Sequence, residues 1–138
     1  MTAGPIAVGT GIISQDNDDP TAHNMTHTLA ETGFLRSDVV LWNVVPYCDS
    51  TIDRNRNPTV AQIKEAIPYT QVFIDELKSL KVAVYCGLHA HKAQKYLRFP
   101  AGVHQLETNH LADRSYGHLR LRTHIQATFK QAYDLVMH

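Results

Sequence analysis

Apolar residues in this chain fall into two arrangements. Some form continuous runs of strand length, and others recur every three or four positions over longer stretches. The first kind reads as strands covered on both faces and the second as amphipathic helices. Val39 and Val40, followed by Leu41-Trp42-Asn43-Val44-Val45-Pro46-Tyr47, make one run. Pro46 must end it, because proline cannot donate to a central ladder. Val82-Ala83-Val84-Tyr85-Cys86, closed by Gly87, makes a second run, and 103–107 a third, shorter one. Helical spacing predicts a helix over 21–32, with Met25 and Leu29 on one face and Gly33 as its stop. Asp18-Asp19-Pro20-Thr21 has the acids and the proline of a helix entry. Thr59-Val60-Ala61-Gln62 has the form of a capping box. It opens a segment in which Ile63, Ile67, Phe73, Ile74, Leu77 and Leu80 keep an approximate helical period. Pro68 is expected to kink that segment or split it. Further helices are expected over 88–98 and 118–137, the last with Leu121, Ile125, Phe129, Ala132 and Val136 on one side. The polar stretches 49–58 and 108–117 read as surface loops.

Strands alternating with helices predict an α/β fold in a single domain, 1–138. Its expected form is a three-layer sandwich, with a short, mainly parallel central sheet flanked by helices. The start of the chain fits this pattern least well. It is rich in Gly, Thr and Asp, and Gly4-Pro5 and Gly9-Thr10-Gly11 are turn signals. Only Pro5-Ile6-Ala7-Val8 could supply an opening strand. One expectation is therefore a fold without its first strand, whose exposed sheet edge would promote self-association.

Composition narrows the class without naming a function. A chain of 138 residues suits one core. Its 43% hydrophobic and 19% charged residues are ordinary for a globular protein. No apolar run reaches the length of a membrane span, and no signal peptide is expected. The cysteines Cys48 and Cys86 suggest a reducing, cytoplasmic setting. They cannot supply the four thiolates of an iron–sulfur cluster. The formal net charge of 0 argues against a strongly basic nucleic-acid binder. The charges are segregated, however: 1–70 carries 4 Lys/Arg against 8 Asp/Glu, and 71–138 carries 9 against 5. A local basic face could still meet a polyanion.

Asn43 is the first candidate for chemistry. It stands near the carboxyl end of an otherwise apolar strand, where open α/β sheets bind ligands. Its amide offers an acceptor and a donor side by side, which can match the edge of a nucleobase. The structural alternative is that the amide pairs with nearby backbone and fixes the loop. His23 with His27, and His89 with His91, invite a metal reading. The first pair has chelating i,i+4 spacing but no accompanying third ligand, and the second does not share a helical face. No metal site is expected. Cys48 lacks a base partner at a suggestive spacing and reads as a small structural residue. Asp16, Asp18 and Asp19 could hold a water, but helix capping is the simpler account of them.

Four segments in this order resemble the uracil-DNA glycosylase superfamily, closest to its bacterial uracil-DNA glycosylase-like members. Gly9-Thr10-Gly11-Ile12-Ile13-Ser14 with Asp16-Asn17-Asp18-Asp19-Pro20-Thr21-Ala22 resembles the segment after the first motif. Leu41 to Tyr47 resembles the strand whose asparagine reads uracil. Cys86-Gly87-Leu88-His89-Ala90 resembles the glycine-x-x-alanine strand-to-helix turn, and Asn109-His110-Leu111-Ala112-Asp113-Arg114-Ser115 the second catalytic motif, usually His-Pro-Ser. With the β/α order between them they cover nearly the whole chain. The resemblance implies a DNA repair enzyme of base excision that hydrolyses the N-glycosidic bond of uracil in DNA, with no cofactor. It implies that Asn43 reads the flipped-out base, that Gly4 and Ile12 line the pocket, and that His110 stabilises the leaving uracil. Arg114, Ser115 and Arg120 are the candidate DNA contacts.

Departures from the family pattern define the alternative. The residue that positions the attacking water has no counterpart in Met1-Thr2-Ala3-Gly4-Pro5. Ile12 stands where an aromatic ring usually stacks on uracil, and it covers a base without offering a π-face. Leu111 and Ala112 replace the usual proline and serine. A relative that binds DNA or a base without cleaving it, or a truncated interaction protein, is the alternative to the enzyme.

Overall fold

A computed structural model describes residues 6–10, 20–43, 59–111 and 113–137. It contains four strands, β1 (Ile6–Thr10), β2 (Val39–Asn43), β3 (Val82–Cys86) and β4 (His104–Thr108). The helices are α1 (Pro20–Thr32), α2 (Val60–Glu76), α3 (Leu88–Gln94), α4 (Asp113–Tyr116) and α5 (Leu119–Met137), with a 3₁₀ turn at Arg36–Asp38. The strands form one sheet in the order β2-β1-β3-β4, and all three pairings are parallel. The chain is thus α/β, as the alternation of runs predicts.

The expected loss of the first strand is corrected. Ile6–Thr10 lies in the middle of the sheet, hydrogen-bonded to β2 on one side and β3 on the other. Gly9 and Thr10, read from sequence as part of a turn, sit opposite Trp42 and Asn43 in the ladder. Two flanking strands hold this segment extended, and that tertiary pairing outweighs the weak strand preference of glycine. The sheet edges are therefore β2 and β4.

β3 is buried along its whole length, and its side chains alternate between two cores. Val82, Val84 and Cys86 join Ala22, Met25 and Leu29 of α1 and Ile125, Phe129, Ala132 and Val136 of α5. Ala83 and Tyr85 join Trp42, Ile63 and Ile74 of α2, and Ala90 and Ala93 of α3. Helices thus cover both faces, giving three layers. The partly buried Val39 and Leu41 pack on the first core and Val40 on the second, so β2 is also covered on both sides.

Local signals place most element ends. The Gly33 amide donates to the Leu29 carbonyl at 3.1 Å and the Phe34 amide to the same carbonyl at 3.0 Å. Gly33 has φ +109°, the left-handed turn that ends α1. The capping box forms as predicted: the Gln62 amide donates to Thr59 Oγ1 at 3.2 Å, and the Thr59 amide donates to Gln62 Oε1 at 2.8 Å. Pro68 does not split its segment, because α2 runs unbroken from Val60 to Glu76. Pro68 faces solvent, where water can take up the carbonyl left without its helical donor. The expected loop 108–117 contains a further correction, the short helix α4. Buried Tyr116 anchors it, its hydroxyl lying 3.2 Å from that of Thr28 on α1. The loop predicted over 49–58 lies outside the described residues. Among the described residues no helix is long and apolar enough to cross a membrane.

Candidate functional site

The chain passes from β1 to β2 on one side of the sheet and then to β3 on the other. The carboxyl ends of β1 and β3 therefore flank a topological switch point, the usual ligand crevice of an open α/β sheet. Asn43 closes β2 at this edge, in register with Thr10 at the end of β1. β3 is followed by Gly87, and β4 leads through Asn109 into His110.

Gly87 brings the two turns together. Its amide donates to the Thr108 carbonyl at 2.8 Å, extending the β3–β4 ladder by one bond. Its φ of +92° suits glycine, and it starts α3. A side chain there would also meet His110: an added Cβ would lie 3.1 Å from His110 Cβ and 3.4 Å from its Cδ2. The imidazole of His110 thus rests against bare backbone. From the other layer, Asn24 Nδ2 donates to the Leu111 carbonyl at 2.7 Å, and Leu111 itself is buried in the α1/α5 core. These contacts hold the His110 turn between α1 and α3. Leu111, a departure from the family motif, has a packing role.

His89 sits in the first turn of α3. Burial lowers the pKa of His110, and the charge of His89 lowers it further. Burial, followed by the charge of Lys92, lowers that of His89 as well. Both imidazoles are held neutral near neutral pH, and a neutral imidazole has one donor and one acceptor nitrogen. His89 Nδ1 and Thr108 Oγ1 are buried with no hydrogen-bond partner. Unpaired buried polar atoms are costly, and here two stand in the turns that carry the candidate site. On the outer side of α3, His91 Nδ1 lies 2.6 Å from Glu107 Oε2.

The remaining predicted residues divide. Ser115 is half-buried in α4, and its carbonyl accepts from the His118 amide at 3.1 Å. Arg120 is exposed in the first turn of α5, on the same chain segment. Arg114 lies within α4, and its side chain is outside the described part, as is that of Asn43. Gly4, Ile12, Asp16, Asp18, Asp19 and Cys48 also lie outside the described residues. Arg122 lies with its guanidinium carbon 5.9 Å from the Tyr116 ring centroid, so it braces α4. Burial pushes the Cys86 thiol well above its ordinary range, and it faces the core as an inert thiol. Of the His23 and His27 pair, His27 Nε2 lies 3.2 Å from Glu31 Oε2. Among the described residues no three His, Cys, Asp or Glu side chains converge as metal ligands would.

The adjacency of His89 to His110 is not written in the spacing of the histidines, which are 21 positions apart. The turn Gly87-Leu88-His89-Ala90 was its available signal, since a strand-end glycine allows close approach of a second segment. No family model matches the chain, and no curated protein matches it either.

Proposed function

We propose that this protein is a glycosylase of uracil-DNA glycosylase type, with a fold of that kind, which hydrolyses the N-glycosidic bond of uracil in DNA. The observation that carries this is the seating of His110. It lies at the carboxyl edge of the sheet, against Gly87, on a turn clamped from α1, with Asn43 ending β2 at the same edge. In the reaction, a water oxygen bonds to the sugar C1′ as the bond to uracil N1 breaks. The bonding pair leaves with uracil, and the water releases a proton. Negative charge grows on the uracil oxygens, where a neutral His110 donates a hydrogen bond that strengthens in the transition state. The Asn43 amide selects uracil over cytosine, because cytosine presents a donor where uracil presents an acceptor. Arg114, Ser115 and Arg120, on the segment after His110, are the proposed contacts to DNA phosphates.

The test is release of uracil from an oligonucleotide carrying one deoxyuridine, by the purified chain and by Asn43→Ala and His110→Ala variants. Uracil-dependent release is expected, lost on Asn43→Ala and reduced about 10²-fold or more on His110→Ala, the usual cost of removing an oxyanion donor. Absence of release at enzyme excess, with retained binding to the same oligonucleotide, would move the assignment to a non-cleaving relative. Absence of both would remove DNA from the account.

A further inference from the structure

A groove of about 510 Å³ opens between α2 and the segment that follows α3, a volume suited to a small ligand. Ile67 and Pro68 form one apolar wall, and Tyr96, Phe99 and Pro100 the other. Its shape is held by one side chain. The Arg98 amide donates to Gln71 Oε1 at 2.9 Å and Gln71 Nε2 donates to the Arg98 carbonyl at 2.8 Å, which pins this backbone to α2. Cations collect at the same place. Lys64 Nζ and Lys95 Nζ lie 5.3 Å and 5.1 Å from the centroid of the same Tyr96 ring, and the exposed Arg98 lines the groove. Among the described residues no carboxylate forms an ion pair with any of these three. Like charges gathered without a counter-acid repel one another, and an anion placed among them removes that cost. One acid, Asp75, also lines the groove. Its Oδ1 accepts from Gln71 Nε2 at 3.0 Å, and its other oxygen has no hydrogen-bond partner among the described residues.

We infer that this groove binds a nucleoside phosphate, with the phosphate at Lys64, Lys95 and Arg98, the base between the apolar walls, and a base amino group at Asp75. Each part of the ligand answers one feature of the groove. Lysine and arginine hold phosphate oxygens through charge-assisted hydrogen bonds. Aromatic side chains cover the flat face of a base. A carboxylate accepts from an exocyclic amino group of a base. An inorganic anion would leave the walls bare, and an apolar molecule would leave the cations and Asp75 unanswered. The groove stands apart from the edge that carries His110. α3 starts at the carboxyl edge of the sheet and runs back, and the His104 amide, where β4 begins, donates to the Lys81 carbonyl just before β3. The segment between α3 and β4 therefore lies toward the amino ends of the strands. The inference does not depend on the glycosylase assignment.

Isothermal titration of the full chain with ADP tests this, with adenosine and pyrophosphate as the two halves of the probe. Saturable one-to-one binding of ADP is expected, about tenfold or more tighter than that of either half. Arg98→Gln, and Lys64→Gln combined with Lys95→Gln, should each weaken it about tenfold or more, the worth of hydrogen bonds to charged groups. Phe99→Leu keeps an apolar side chain against the α2/α3 core and should weaken binding about tenfold through lost stacking. Lys130→Gln, an exposed position on α5 in the opposite layer, should leave it unchanged. No binding at millimolar ADP, pyrophosphate bound as tightly as ADP, or binding indifferent to the Arg98 and lysine substitutions would each overturn the proposal.

Discussion

His110 shows how much one residue's setting adds to its identity. As one of nine histidines it is unremarked by composition. Burial against Gly87, and then the charge of His89, favours its neutral form. The same is true of His89, through burial and Lys92. A histidine whose folded pKa lies below its unfolded value binds fewer protons in the fold than in the unfolded chain. It therefore contributes stability above the unfolded value of about 6.5, and that contribution is lost as pH falls through the folded value. Thermal unfolding followed from pH 7.5 down to pH 5 should show Tm falling in acid, less steeply in His110→Gln than in the parent chain. Equal slopes would mean that His110 titrates alike in both states. Asn43, by contrast, was legible as an anomaly, a polar side chain ending an apolar run, because burial of an unpaired amide is costly whatever the fold.

At the scale of elements, local chemistry and tertiary pairing contribute separately. The α2 entry is local: Thr59 and Gln62 satisfy each other's backbone amides, and the sequence shows the pair directly. Thr59→Ala should lower stability by about 1 kcal/mol with an unchanged denaturant slope, measured by urea unfolding. A loss near zero would mean that water replaces the cap at no cost. β1 is the opposite case, since glycine and threonine at its end carry turn signals that two neighbouring strands override. Pro68 is intermediate. Its helix-breaking tendency is real, but a position on the solvent side of a helix packed along its other face leaves α2 continuous.

For the whole molecule, stability rests on two cores separated by the sheet. Phe129 is fully buried where α5 meets β3 and α1, so Phe129→Ala removes a large side chain that no solvent can replace. It should cost about 3–5 kcal/mol in urea unfolding, whereas Met137→Ala, on an exposed residue of the same helix, should stay within about 0.5 kcal/mol. Comparable losses at both positions would contradict the core described. The same architecture creates the candidate site. Three crossovers on a parallel sheet bring Asn43, Gly87 and His110 to one edge although up to 67 positions separate them in the chain.

What the sequence determined by itself is the alternation of strands and helices, the Thr59 cap, the Gly33 stop and the apolar faces of α1, α2 and α5. Each depends on residues a few positions apart, so each is written in local spacing. The tertiary structure decided that Ile6–Thr10 is a central strand, that Pro68 sits inside one helix, and that His89 neighbours His110. Those outcomes depend on partners distant in the chain. A backbone segment with weak preferences takes the conformation that pairs its amides and carbonyls, and an imidazole takes the proton affinity that its neighbours impose.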